Sequence, residues 1–122
     1  MRPVKAGKWV GFDFDKTLAT DISGDTSGVL GEPIGPMVEL AKEYIEAGVE
    51  VKVLTARVWV PSDERWKPEL ARECAATRIK MMDWTEKHLG KRLTITCEKD
   101  PKLDHLYDDR AIEVEPNTGR LK

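Results

Sequence analysis

The stretch Trp9-Val10-Gly11-Phe12-Asp13-Phe14-Asp15-Lys16-Thr17-Leu18 decides how this chain is read. A short apolar run that ends abruptly in acid has the pattern of a buried strand reaching a polar site. In extended chain, residues two apart point the same way, so the carboxylates of Asp13 and Asp15 can face one spot. Two carboxylates so placed repel unless a proton or a cation stands between them.

Outward from this stretch, residues 19–36 are rich in Gly, Pro, Ser, Thr and Asp, a composition that resists regular structure and reads as a flap or long loop. Met37, Leu40, Ala41, Tyr44 and Ile45 then recur at helical steps, with Gly48 as the stop. The β-branched run Val49 to Leu54 predicts a second strand, ending in Thr55-Ala56-Arg57. A strand, a helix and a strand in this order make a crossover between parallel strands.

Residues 58–67 form a variable, irregular segment carrying Trp59 and Trp66, and Pro68 opens a helix expected to run to about His88 with Gly90 as its stop. Its apolar stripe is Leu70, Cys74, Met81 or Met82, Trp84 and Leu89. A third strand is expected at Leu93 to Cys97, followed by Glu98-Lys99-Asp100-Pro101, and the stretch ending in Leu106-Tyr107 leads into Asp108-Asp109. Ala111 to Val114 reads as a last strand before the turn Pro116-Asn117-Thr118-Gly119. The expectation is one α/β domain over residues 1–122, a three-layer Rossmann-like fold with a mostly parallel central sheet and helices on its faces. Ligands of such sheets bind outside the carboxyl ends of the strands, where each polar cluster named here falls.

The 122 residues are 40% hydrophobic and 34% charged, which suits a soluble globular domain better than a disordered or membrane-bound chain. The formal charge of −2 gives no global field toward nucleic acid or an anionic membrane. No apolar run approaches a bilayer span, and the basic start has no apolar segment behind it, so a cytoplasmic protein without membrane contact is expected. Cys74 and Cys97 form no metal-type pair and read as reduced core thiols; His88 and His105 share no ligand spacing and read as structural or exposed.

If the strands that end in Asp13-x-Asp15 and Asp108-Asp109 are parallel neighbours, up to four carboxylates converge, and hard oxygen ligands favour Mg²⁺. Carboxylates around magnesium can position a phosphate while one of them attacks phosphorus to form an aspartyl-phosphate. Thr55 and Lys99 could supply the hydroxyl and the charge that the phosphoryl oxygens need, with Lys102 as the alternative lysine.

With these residues at consecutive strand ends, the sequence resembles the haloacid-dehalogenase-like superfamily of phosphohydrolases. The first motif is Asp13-Phe14-Asp15-Lys16-Thr17-Leu18, the second Leu54-Thr55, the third Lys99 and the fourth Asp108-Asp109. The likeness spans nearly the whole chain and is closest to a group of short hydrolase-like proteins, many from phages, through Thr96-Cys97-Glu98-Lys99-Asp100, Asp108-Asp109-Arg110-Ala111 and Asn117-Thr118-Gly119. The resemblance implies that Asp13 is nucleophile and metal ligand, and that Asp15 is general acid/base and a ligand through its backbone carbonyl. It implies that Thr55 and Lys99 hold the phosphoryl group while Asp108 and Asp109 complete the magnesium site. Position 16 is Lys where many members have Gly. The short gaps after the first and second motifs imply a protein without a cap domain, open to large substrates.

The expected activity is magnesium-dependent hydrolysis of a phosphomonoester on a small molecule. One alternative is a polynucleotide-end phosphatase, with Arg57, Arg65, Lys67, Trp59 and Trp66 as possible contacts to the strand. Another is a regulatory module that keeps the magnesium site without turnover. A phospho-accepting receiver domain fits less well, because its adjacent acidic pair would come first in the chain rather than last.

Overall fold

The computed structural model describes residues 1–21, 29–61 and 67–122. Its centre is a four-stranded sheet of β1 (Trp9–Phe12), β2 (Glu50–Leu54), β3 (Thr94–Thr96) and β4 (Leu103–Tyr107), in the order β3-β2-β1-β4. Every pairing is parallel. The strands turn outward from β1 in both directions, so the topological switch lies between β1 and β4, where Asp13 and Asp108 leave the sheet.

Two helices join the strands on one side. Helix α1 (Gly35–Glu46) begins with Pro at its first turn, and α2 (Pro68–Leu89) does the same and ends at Gly90, whose φ of 79° provides the left-handed stop. The inward faces of β1 and β2, carrying Val10, Phe12, Val51 and Val53, join Val38, Ala41 and Tyr44 of α1 and Met81, Trp84 and Leu89 of α2 in one core. Of the stripe expected on α2, Leu70 and Cys74 are only half-buried, and Thr85 joins the core by donating to the Met82 carbonyl and accepting from the Leu93 N–H.

Both helices share that core, so among the described residues the helices on both faces expected of a three-layer fold are not found. The opposite face is covered by the Cys97 to Lys102 connection and by side chains. The Trp9 indole donates to Asp100 at 2.8 Å and lies under the Lys52 ammonium, 4.7 Å from the ring centroid. Gly11 leaves room there: an added Cβ would stand 3.0 Å from both Leu106 and Trp9. The connection is too short to hold a helix, which is the physical reason for the missing layer.

A second difference is at the carboxyl end, where Ala111 to Val114 forms no strand of the sheet. Val114 pairs only with Leu121 in an isolated antiparallel bridge, closed around Asn117 at φ 65°. Alternating Ile112, Glu113, Val114 and Glu115 reads as a strand, but the chain turns back on itself after Glu115, and Glu113 and Glu115 bond to Lys122 and Arg120 rather than to the sheet. Cys97 is exposed rather than in the core, and both cysteines are free. Among the described residues no helix is long and apolar enough to cross a membrane.

The base of the 19–36 flap is a short stem. Thr20 donates its N–H to the Glu32 carbonyl, Ile34 donates to Leu18, and Ala19 bridges Pro33. Gly31 is required in it, because a Cβ there would fall 1.6 Å from the Thr20 carbonyl oxygen. Residues 22–28 of the flap, and Arg65 and Trp66 of the 58–67 segment, lie outside the described residues.

β4 is fastened to α1 by a phenol. The fully buried Tyr44 accepts from the Arg2 N–H at 3.0 Å and bonds to His105 Nε2 at 2.9 Å and to the Tyr107 hydroxyl at 2.8 Å. His105 in turn meets Asp104 at 2.7 Å, which makes this histidine structural. Tyr44→Phe should remove the hub of this cluster and leave the half-buried His105 and Tyr107 without their shared partner, at a cost of roughly 2 kcal/mol. Thermal unfolding should show a midpoint lowered by about 5–10 °C; an unchanged midpoint would mean that the cluster does not hold β4.

Candidate functional site

The site begins with the alternation of the opening stretch. Phe12 and Phe14 are fully buried, and Asp13 and Asp15 fall between and after them on the half-buried side. The Asp13 N–H donates to the Tyr107 carbonyl at 2.8 Å, which continues the β1–β4 ladder by one step and sets Asp13 beside the acids that follow Tyr107. Carboxylate oxygens of Asp13, Asp108 and Asp109 lie within 4.8 Å of one another.

Thr17 ties the two ends together. Its hydroxyl donates to Asp109 Oδ1 and accepts from the Asp109 N–H, both at 3.1 Å, and the residue is buried. The turn that places it runs through three N–H groups, those of Thr17, Leu18 and Ala19, all donating to the Phe14 carbonyl. Lys16 sits at φ 68° in this turn. That is the left-handed region glycine enters freely and other residues enter at a cost of about 1–2 kcal/mol, a backbone reason for Gly to be the common residue at such a position.

Burial is the main cause that pushes the Asp13 carboxyl up to about 7, with a hydrogen bond to Asp109 and the charges of Asp108 and Asp109 adding to it and the Phe14 N–H opposing. Such a cluster holds a proton or a cation at neutral pH. Three carboxylates at this spacing are a hard-oxygen donor set, which fits a small divalent cation such as Mg²⁺.

Asp15 is not part of this set. Both of its oxygens accept from Arg57, from Nε and from Nη2, at 2.7 Å each, and the Arg57 side chain is only 6% exposed. Its backbone carbonyl is what it could still offer to a cation. Arg57 is placed by Thr55, which leaves β2 and starts a single 3₁₀ turn over Ala56–Val58; the Thr55 hydroxyl accepts the Arg57 N–H at 3.2 Å. Thr55 itself is buried, and its N–H donates to the carbonyl of Thr96, the last residue of β3, at 2.8 Å.

Two clefts open above these residues. One of about 510 Å³ is lined by Asp13, Asp15, Lys16, Thr55, Arg57 and Arg110, among others. The other, of about 280 Å³, shares Asp13, Thr55 and Arg110 and adds Trp59 and Cys97. Asp13, Asp15, Thr55, Asp108 and Asp109 therefore stand together at one end of the sheet. Lys99 is exposed beyond β3 and lines neither cleft. Lys102 precedes β4, and its carbonyl accepts from the Trp9 N–H at the start of β1, the far end of the sheet.

Sequence reading missed Arg110 as a cation of the site and Arg57 as the partner of Asp15. The signal for Arg110 was its place directly after Asp109. The Arg57–Asp15 pair joins residues 42 apart and left no local pattern. Compared with protein-family models, curated proteins and solved structures, the chain has no significant match.

The raised Asp13 carboxyl has a consequence for stability. Between its ordinary value of 3.8 and about 7 the folded protein binds a proton that the unfolded chain releases, so without a divalent cation this group's contribution falls as pH rises through that window. Mg²⁺ should raise the unfolding midpoint more at pH 8 than at pH 5, by a few degrees, on the order of what one to two kcal/mol gives. Asp13→Asn should flatten the pH dependence. An equal magnesium effect at both pH values would contradict the assignment.

Proposed function

We propose that this chain is a magnesium-dependent phosphohydrolase of the haloacid-dehalogenase-like type that acts on a phosphomonoester. The observation that carries the reading is the cleft in which a half-buried Asp13 stands against Asp108 and Asp109 and shares its walls with Thr55 and Arg110. Bound magnesium, held by Asp13, Asp108 and Asp109, would offset the negative charge of the phosphoryl oxygens.

In this reading an Asp13 carboxylate oxygen attacks phosphorus and the bond from phosphorus to the leaving oxygen breaks. Asp15, once parted from Arg57 and protonated from solvent, gives that proton to the leaving oxygen; as the carboxylate it then takes one from the water that hydrolyses the aspartyl-phosphate, restoring Asp13 and releasing phosphate. The Thr55 hydroxyl, whose proton is not used by its bond to Arg57, donates to a phosphoryl oxygen. Arg110 supplies the fixed positive charge in place of the expected Lys99, because it borders both clefts. Arg57 is a positioning residue: its two bonds fix the plane of the Asp15 carboxylate.

That same pair favours the second reading, a module that binds magnesium without turnover. Both Asp15 oxygens are engaged, so proton transfer requires Asp15 to loosen from Arg57.

Release of phosphate from an aryl phosphate, with and without Mg²⁺, separates the two. Asp13→Asn should abolish turnover, and Asp15→Asn should lower kcat by roughly 10²–10⁴ on a substrate with a poor leaving group. Arg110→Ala should be far more damaging than Lys99→Ala. Magnesium binding with no turnover on any phosphomonoester would favour the binding module, and the reverse order of the two cation variants would return the role to Lys99.

A further inference from the structure

The smaller cleft has a lining of two unlike kinds. Asp13, Thr55, Asp108 and Arg110 are polar or charged; Leu54, Ala56, Trp59 and Cys97 are largely apolar. At about 280 Å³ it lies at the lower edge of the size range of small-molecule pockets and takes one ring-bearing unit.

Trp59 stands out in this lining. Its side chain is 57% exposed, yet its backbone is tied down. The Trp59 N–H donates to the Ala56 carbonyl at 3.1 Å, its own carbonyl accepts from the Cys74 thiol at 3.5 Å, and its neighbour Val58 is buried in the core. A large ring held on a fixed turn and left open to a cleft does not fill the core. It offers a flat face, four residues from Thr55.

Resting on the phosphohydrolase reading, we propose that the substrate is a nucleoside phosphomonoester, free or at the end of a strand, whose base stacks on Trp59 while its phosphate lies between Thr55, Arg110 and Asp13. A flat apolar ring joined to a dianion matches a cleft whose lining brings an indole together with a hydroxyl, an arginine and a candidate cation site. Stacking on an indole tolerates every base, because each has a π face. Among the apolar lining residues no side chain would read a base edge beyond the weak Cys97 thiol, so the four bases are taken alike.

The test compares glycerol phosphate, the four mononucleotides as 3′- and 5′-phosphates, oligonucleotides phosphorylated at either end and a phosphotyrosine peptide. All are measured with Mg²⁺ on wild type, Trp59→Ala and Trp59→Phe. Nucleotides should be preferred to glycerol phosphate, with little difference among bases. Trp59→Ala should raise KM for nucleotides roughly 10-fold with kcat nearly kept, Trp59→Phe should retain most of the affinity, and glycerol phosphate should be unaffected. The oligonucleotide arms tell a strand end from a free nucleotide.

Hydrolysis of glycerol phosphate at least as good as that of nucleotides overturns the proposal and leaves the phosphohydrolase standing, as does a preference for phosphotyrosine. Calorimetry with adenosine 3′-monophosphate covers the inert case. Binding that weakens about 10-fold in Trp59→Ala without any turnover keeps the base site and removes the phosphohydrolase; no binding and no turnover removes both.

Discussion

One hydrogen bond decides what this molecule can be: the Asp13 N–H donating to the carbonyl of Tyr107. It extends the pairing of β1 and β4 one residue past the sheet, so that acids from opposite ends of the sequence emerge side by side. Thr17 then locks the two exits through its hydroxyl, which both donates to and accepts from Asp109. The carboxylates are held together by backbone and by a neutral side chain, so their repulsion is contained by the fold rather than relieved by it. A site built in this way is primed to take up positive charge.

The two aspartates of the opening stretch divide their work through their neighbours. Asp13 faces other acids and shares their field, while Asp15 faces an arginine that is almost fully enclosed. Two residues of one type, two positions apart, therefore occupy opposite electrostatic surroundings. The alternation of a strand accounts for their common side; the turn at Ala56–Val58, entering from β2, accounts for their difference.

Much of this was legible in the sequence because it is written locally. Helical spacing with Gly at the stop marked α1 and α2, with Pro68 opening the second, and acid directly after apolar residues marked the ends of β1 and β4. What was not legible depends on where the chain goes between elements. The stretch after β3 returns to the start of β4 in six residues, Cys97 to Lys102, which leaves Lys99 exposed, carries Lys102 to the wrong end and omits a helical layer. Ile112 and Val114 alternate like a strand, yet their partner is Leu121 and not the sheet. Trp59 has the composition of a core residue, and only the turn beneath it turns its ring outward.

The Thr17–Asp109 bond joins residues 92 apart in a chain of 122. Contacts of such separation form late, because the entropy of closing so long a loop must be met before they contribute. During synthesis, Asp13 and Asp15 leave the ribosome long before β4, the last strand of the sheet, and no cluster exists until it arrives. The acidic centre is thus a late product of folding, absent from a half-folded chain, and its assembly depends on the whole sheet having closed.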